Sequence, residues 1–202
     1  MALAALVDHA DRQQKLLKVR FIMIDGAKII RRIQEMRTEG YLADAMLREA
    51  VKHIKDNDPR YNFVGVYMLN AEDNSLWLHN YLGEPTDHAR IPVGRGVCGT
   101  AVAENRNQNV PDVTQVGNYL SCSPRTKSEL VVLIHADGQI VGQIDIDARE
   151  INAFSQDDQT NIELVAQKLG EMIERERRDM ELERQLVAQR QQPQAGQQTA
   201  EV

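Results

Sequence analysis

Cysteine is scarce in this 202-residue chain: only Cys98 and Cys122 are present. Neither a disulfide framework nor a four-thiolate zinc site can be built from two thiols, which in a reducing compartment serve packing or redox chemistry. Basic blocks are also missing. Lys plus Arg number 24 against 30 Asp plus Glu, a net charge of −6; with no basic stripe to track phosphates, nucleic acid is not an expected partner. Long apolar runs are absent as well, the longest core run being Leu130 to Ile134, far short of a bilayer span. The apolar stretch Ala2 to Val7 lacks the basic flank of a signal peptide, so a soluble, cytoplasmic protein with no membrane partner is expected. The five histidines are scattered without metal-ligand spacing. No metal and no organic cofactor is expected.

What is present is a hydrophobic fraction of 42%, enough for one domain with its own core. Residues 1–57 read as an N-terminal helical segment packing on that domain, with Leu16, Val19, Met23, Ile30 and Ile33 on one stripe and Leu42, Met46, Ala50, Val51 and Ile54 on the next. Residues 58–174 read as the domain core. It opens with a hairpin, Asn62 to Leu69 and Ser75 to Tyr81, and closes with a second, Leu130 to His135 and Gln139 to Asp147, around Asp137-Gly138, a pair suited to a two-residue turn with positive φ. Between them lie a glycine-rich turn, a short helix and an irregular stretch from Asp112 to Thr126. Ser155 starts a last helix whose portion 175–188 extends beyond any core, and 189–202 reads as a disordered Gln-rich tail. The fold class is α+β, an antiparallel sheet flanked by N- and C-terminal helices. Met180, Leu182, Leu186 and Val187 have no domain left to pack on, which predicts a homodimer built through helices.

Three motifs carry chemistry. Gly94-Arg95-Gly96-Val97-Cys98-Gly99 matches a dinucleotide fingerprint, but Pro92 interrupts the preceding strand and no parallel strand follows, so that reading is rejected. The turn instead delivers Cys98 to a helix start, as a reactive thiol or a buried structural one. Asp145 and Asp147 flank Ile146 on a strand and so point to one face. Enclosed together they would raise a carboxyl pKa and serve as proton donor or cation ligand; the plainer alternative has Asp147 capping the loop at Ala148 to Glu150. Glu129 opens the neighbouring strand, and Cys122 lies in a loop with Arg125 and Lys127, cations suited to acidify it.

Taken together, IPVGRGVCGTAVAEN from Ile91, NVPDV, SELVVLI, the D-G turn, GQIDIDA and AFSQDDQTNIELVAQ resemble a GAF domain over Ile91 to Ile173, with Asn62 to Tyr81 as its opening hairpin. Within that family, VGRGVCGTAVA with a downstream cysteine before SEL and the DID strand resembles the free methionine-(R)-sulfoxide reductases. The resemblance implies that Cys122 is the catalytic thiol and Cys98 the second cysteine that resolves it. It also implies that Glu129, Asp145 and Asp147 are substrate-site carboxylates and Tyr67 a pocket aromatic. Phe63 stands where those enzymes usually carry Trp, and His88 where they place a third cysteine. The implied chemistry is attack of a thiolate on sulfoxide sulfur, a proton from a carboxyl such as Asp147 or Glu129, a sulfenic acid, and its condensation with Cys98. A thioredoxin-like dithiol would reset the pair, and the implied partner is free methionine sulfoxide or a similar small molecule. Glu129, Asp145 and Asp147 should then surround one small pocket with Tyr67 and Phe63 as its apolar wall. The alternative is a non-catalytic GAF sensor of a small ligand or redox state, signalling through helical dimerisation.

Overall fold

The computed structural model describes residues 23–121 and 123–191; Leu16, Val19, Cys122 and the tail beyond 191 lie outside them. Helix α1 (Gly26–Thr38) begins where the Asp25 carboxylate accepts from Lys28 N at 2.9 Å. This cap leaves Met23 ahead of the helix and exposed, so the stripe that is buried is Ile29, Ile33 and Met36. In α2 (Ala43–Asn57) the buried face is Met46, Leu47, Ala50, Val51 and Ile54. Leu42, expected on that stripe, is the residue before the helix and is exposed, because its extended backbone turns it away.

Strands β1 (Tyr61–Asn70), β2 (Ser75–Gly83), β3 (Arg90–Pro92), β4 (Gln108–Val110), β5 (Ser128–Ala136) and β6 (Gln139–Ala148) form one sheet in the order β3-β2-β1-β6-β5-β4. Every pairing is antiparallel. Asp137 and Gly138 take φ +51° and +73°, the primed turn that matches the twist of the strands it joins. Helix α3 (Gly96–Glu104) and a short 3-10 turn (Val113–Gln115) fill the connection between the hairpins.

The two faces of the sheet differ. Val64, Val66, Leu130, Val132, Ile134, Ile144 and Ile146 form one core with α1, α2 and the last helix, α4 (Gln156–Gln191). Phe63, Tyr67, Val131 and Leu133 face the other way, into a smaller cluster with Val97, Cys98 and Ala101 of α3. Among the described residues no helix is long and apolar enough to cross a membrane.

Helix α4 is fastened at its start by a reciprocal cap: the Asp158 carboxylate accepts from Ser155 N and Oγ, and Ser155 Oγ accepts from Asp158 N at 3.1 Å. The other Asp158 oxygen accepts from Ile24 N at 3.0 Å and so ties the chain before α1 to the same point. Gln189 to Gln191, read from the sequence as the start of the tail, are helical. No proline intervenes before Pro193, and i,i+4 pairs such as Gln185 with Glu181 and Arg178 with Glu174 support the exposed stretch. Met180, Leu182, Leu186 and Val187 are exposed on this single chain.

Where α4 crosses β5, Gly170 permits a close approach: a Cβ there would stand 1.9 Å from the His135 carbonyl oxygen. Gly→Ala inside a helix ordinarily stabilises by roughly 1 kcal/mol. Gly170→Ala is expected to destabilise instead, by at least about 2 kcal/mol in urea unfolding, since backbone must move to admit one methyl. Gly117→Ala, with open space around it, is the control and should change stability by no more than about 0.5 kcal/mol. Equal effects of the two substitutions would contradict the packing at α4 and β5.

Candidate functional site

Strand register assembles the site. Across β1, β6 and β5, Phe63 faces Asp147, which faces Glu129; Gly65 faces Asp145, which faces Val131; Tyr67 faces Gln143, which faces Leu133. Residues two apart on a strand share a face, so these nine positions make one surface. Gly65 leaves room on it: a Cβ there would lie 2.7 Å from the Phe63 ring. Phe63 stacks on Tyr81 with ring centroids 5.4 Å apart, and the Tyr67 hydroxyl donates to the His88 carbonyl at 3.0 Å.

Helix α3 covers this surface. Gly94 and Gly96 supply positive φ for the turn into it, and Gly99 permits a close pass by Pro92, whose carbonyl oxygen would sit 2.5 Å from a Cβ. That approach sets Cys98, in the first helical turn and 4% exposed, over β5. Its Sγ lies 3.8 Å from Glu129 Oε1. Cys98, Glu129 and Asp145 each bring one donor atom within 4.8 Å of the other two.

Three carboxyls are thus held in a nearly water-free layer. Glu129 is 5% exposed, and Asp145 and Asp147 are 1% exposed. Burial pushes Asp145 up to about 7 against weaker lowering by Cys98 and Glu129. Burial, and then the charge of Asp145, raise both Glu129 and Asp147 well above the usual carboxylate range; Asp147 adds to the rise at Glu129. Among the described residues no basic side chain is paired with them. The Thr126 hydroxyl opposes the rise at Asp147 and itself accepts from Asn62 Nδ2 at 3.0 Å. Asp145 Oδ1, Asp147 Oδ2 and both amide atoms of Gln143 are buried without a hydrogen-bond partner. Like charges this close and this dry retain protons or call for a cation.

All the expected pocket residues that are described, Cys98, Glu129, Asp145, Asp147, Tyr67 and Phe63, lie on this one face or against it. Asp147 sits inside β6 with its side chain in the cluster rather than serving the loop after Ala148. The Arg125 guanidinium pairs with Glu84 at 3.0 Å, a carboxylate that also accepts from Arg149 at 2.8 Å and Ser123 Oγ at 2.5 Å, while Cys122, which Arg125 and Lys127 are expected to acidify, lies outside the described residues. The Ser123 bond comes first among the causes that hold Glu84 below its ordinary value. Sequence reasoning missed Glu84, which no local pattern links to residues 39 and 65 positions away. It also missed Gln143, although the period that paired Asp145 with Asp147 already put Gln143 beside them.

Raised carboxyl pKa values set the sign of the pH response. The folded chain holds protons on Asp145, Glu129 and Asp147 at pH values where the unfolded chain has released them. The contribution of Asp145 is full below about pH 4 and is lost as pH rises through about 7, and those of Glu129 and Asp147 are likewise lost as pH rises through their own raised values. The urea midpoint should therefore fall between pH 5 and pH 8, and Asp145→Asn should flatten that fall. An unchanged slope in the variant would show that the burial of Asp145 has been misjudged.

Comparison with known proteins agrees with this architecture. A GAF domain family model matches residues 37–174. The chain is similar to the free methionine-R-sulfoxide reductase of Escherichia coli (strain K12), at 40% identity over 107 residues, 52% of this chain and 63% of that one. It is similar to GAF domain-containing protein A of Dictyostelium discoideum, at 38% over 102 residues, 50% of this chain and 63% of that one. Among solved structures, the free methionine-R-sulfoxide reductase from Neisseria meningitidis in complex with its substrate is similar at 27% identity and TM-score 0.70, covering 76% of this chain and 91% of that one. With the family model spanning both hairpins, the cysteine-bearing helix and the buried part of α4, the chain belongs to the GAF domain family.

Proposed function

We propose that the chain is a free methionine-(R)-sulfoxide reductase. The observation that carries this reading is the set of three buried carboxyls beside a thiol, with no basic side chain among the described residues paired with them. A free amino acid brings an ammonium group for such a site, and a thioether side chain suits the Phe63 and Tyr67 wall. The two relatives named as reductases support the choice of substrate.

In the proposed reaction the Cys122 thiolate attacks the sulfoxide sulfur while a carboxyl that keeps its proton near neutrality protonates the sulfoxide oxygen. That oxygen passes to Cys122, giving a sulfenic acid and methionine. The Cys98 thiol then displaces hydroxide, which leaves as water with the thiol proton, and a disulfide forms. An external dithiol of the thioredoxin type reduces it. Glu84 anchors Ser123 and Arg125, and so fastens the segment that follows Cys122.

A coupled thioredoxin assay on methionine-(R)-sulfoxide tests the reading. Turnover is expected in the parent chain, and Asp145→Asn and Asp147→Asn should each lower kcat/KM by about 100-fold, whereas Asp157→Asn, exposed at the start of α4, should leave it unchanged. Cys122→Ala should be inactive. Cys98→Ala should stop after one oxygen transfer with a sulfenic acid trapped on Cys122, seen as a dimedone adduct by mass spectrometry. Both thiols unmodified after prolonged exposure to sulfoxide would overturn the reductase and favour the sensor.

The homodimer is a further part of the proposal, supported by the exposed Met180, Leu182, Leu186 and Val187 on α4. Light scattering should give twice the chain mass for the full chain and a monomer for one ending at Arg177. A full-length monomer at tens of micromolar would exclude it.

A further inference from the structure

The sequence offered no convergent metal ligands beyond the Asp145 and Asp147 pair, but folding adds a donor of a different kind. Cys98 descends from α3 onto the carboxylate surface, and its sulfur joins one oxygen each of Glu129 and Asp145 in a group whose members are all within 4.8 Å of one another and all buried. With metal bonds of about 2.3 Å to sulfur and about 2.1 Å to oxygen, tetrahedral geometry sets a sulfur and an oxygen donor about 3.6 Å apart. The Cys98 Sγ to Glu129 Oε1 separation of 3.8 Å is close to that.

Acidic residues in a cluster would not suffice, since protons alone can neutralise them. Two independent features point to an occupant. One is the thiol, a soft donor whose Sγ stands 3.8 Å from Glu129 Oε1, to which it donates, and within 4.8 Å of an Asp145 oxygen. The other is the unsatisfied polar lining: Asp145 Oδ1, Asp147 Oδ2 and the Gln143 amide are buried without partners on the same face of β6.

We propose that Cys98, Glu129 and Asp145 form a three-donor site for a thiophilic divalent cation of the zinc class, filled in competition with the small cationic ligand. On binding, the Cys98 proton and any carboxyl protons pass to solvent and three anionic donors meet a 2+ charge, leaving one negative charge in place of three. A fourth position would be left for water or for the small ligand, as in sites with three protein ligands and an exchangeable water. Hard cations are excluded by the same donor set, because Mg2+ and Ca2+ prefer six or more oxygen ligands and gain little from sulfur. Bound zinc would tie up the carboxylates that receive an ammonium group and the sulfur that closes a disulfide. The consequence is reversible inhibition of the site by a metal that leaves the fold intact. This inference shares residues with the reductase reading and does not depend on turnover.

Cobalt(II) makes the test spectroscopic. The reduced, metal-free full chain titrated with Co2+ should develop a thiolate-to-cobalt charge-transfer absorption that saturates at one equivalent, is displaced by Zn2+, and is untouched by excess Mg2+ or Ca2+. Cys98→Ser should abolish the band and Cys122→Ser should keep it. Asp145→Asn and Glu129→Gln should each weaken cobalt binding at least tenfold, with near-ultraviolet circular dichroism verifying that each variant is folded. Added methionine sulfoxide should raise the apparent cobalt dissociation constant. A wild-type chain without a saturable band overturns the site, as does a band that survives Cys98→Ser or disappears in Cys122→Ser; cobalt affinity indifferent to sulfoxide overturns the competition. The band is read without sulfoxide, so its appearance in a chain that fails the turnover assay supports the metal site while overturning the reductase.

Discussion

Three carboxyls on one dry face of an antiparallel sheet are the constraint around which the rest of this molecule is arranged. Register, not loop conformation, puts them there: Glu129 and Asp147 are opposite one another across β5 and β6, and Asp145 is one period away on the same strand. Isolated carboxylates in such a place would be prohibitively costly, so the face must keep protons, admit a cation, or both. Asp145, raised to about 7 by burial, is poised between those states at neutral pH, and the titration belongs to the group rather than to any one member. The proposed proton donation to a sulfoxide, attraction of an ammonium group and capture of a soft metal would all draw on that single electrostatic fact.

The opposite face supplies what the carboxyl face gives up. Val64, Val66, Val132, Ile134, Ile144 and Ile146 alternate with the polar positions along the same strands and pack under α1, α2 and α4. Burying side chains of this size contributes roughly 1.5–3 kcal/mol each, which offsets the strain of confining like charges a strand's thickness away. Gly170 brings α4 close to β5, and Asp158 joins the start of α4 to the chain before α1, so the stabilising layer is one continuous unit. A period-two strand thereby separates a stability face from a chemical one with no change in fold.

Much of this was legible because it rests on local periodicity. The Asp137-Gly138 turn, the DID alternation and the glycine turn ahead of Cys98 are short-range signals, and each has its physical counterpart in backbone φ, strand face and helix start. What escaped depends on distance. The pairing of Arg125 with Glu84 joins a loop to the residue after β2 across 41 residues, a link that no pattern within either segment encodes. Met23 and Leu42, counted on helical stripes from their spacing, stand ahead of α1 and α2, because apolar spacing continues past the residue at which each helix begins. The closeness of Cys98 to Glu129 and Asp145 falls in the same class, since it follows from how tightly Gly99 lets α3 pass Pro92.

His88 shows how a side chain can change while a neighbouring contact is kept. The Tyr67 hydroxyl donates to the backbone carbonyl of His88, so any residue at that position that keeps the backbone path can anchor Tyr67. The carboxyl face, two strands away in β5 and β6, has no contact with His88 in its electrostatics. A histidine where the reductases it resembles place a thiol therefore bears on sulfur chemistry alone. Under the reductase reading it leaves Cys98 as the single internal thiol able to receive the oxidised Cys122. Because Cys98 is also the sulfur nearest the carboxyls, disulfide formation would withdraw it from Glu129, linking the redox state of the pair to the charge of the pocket.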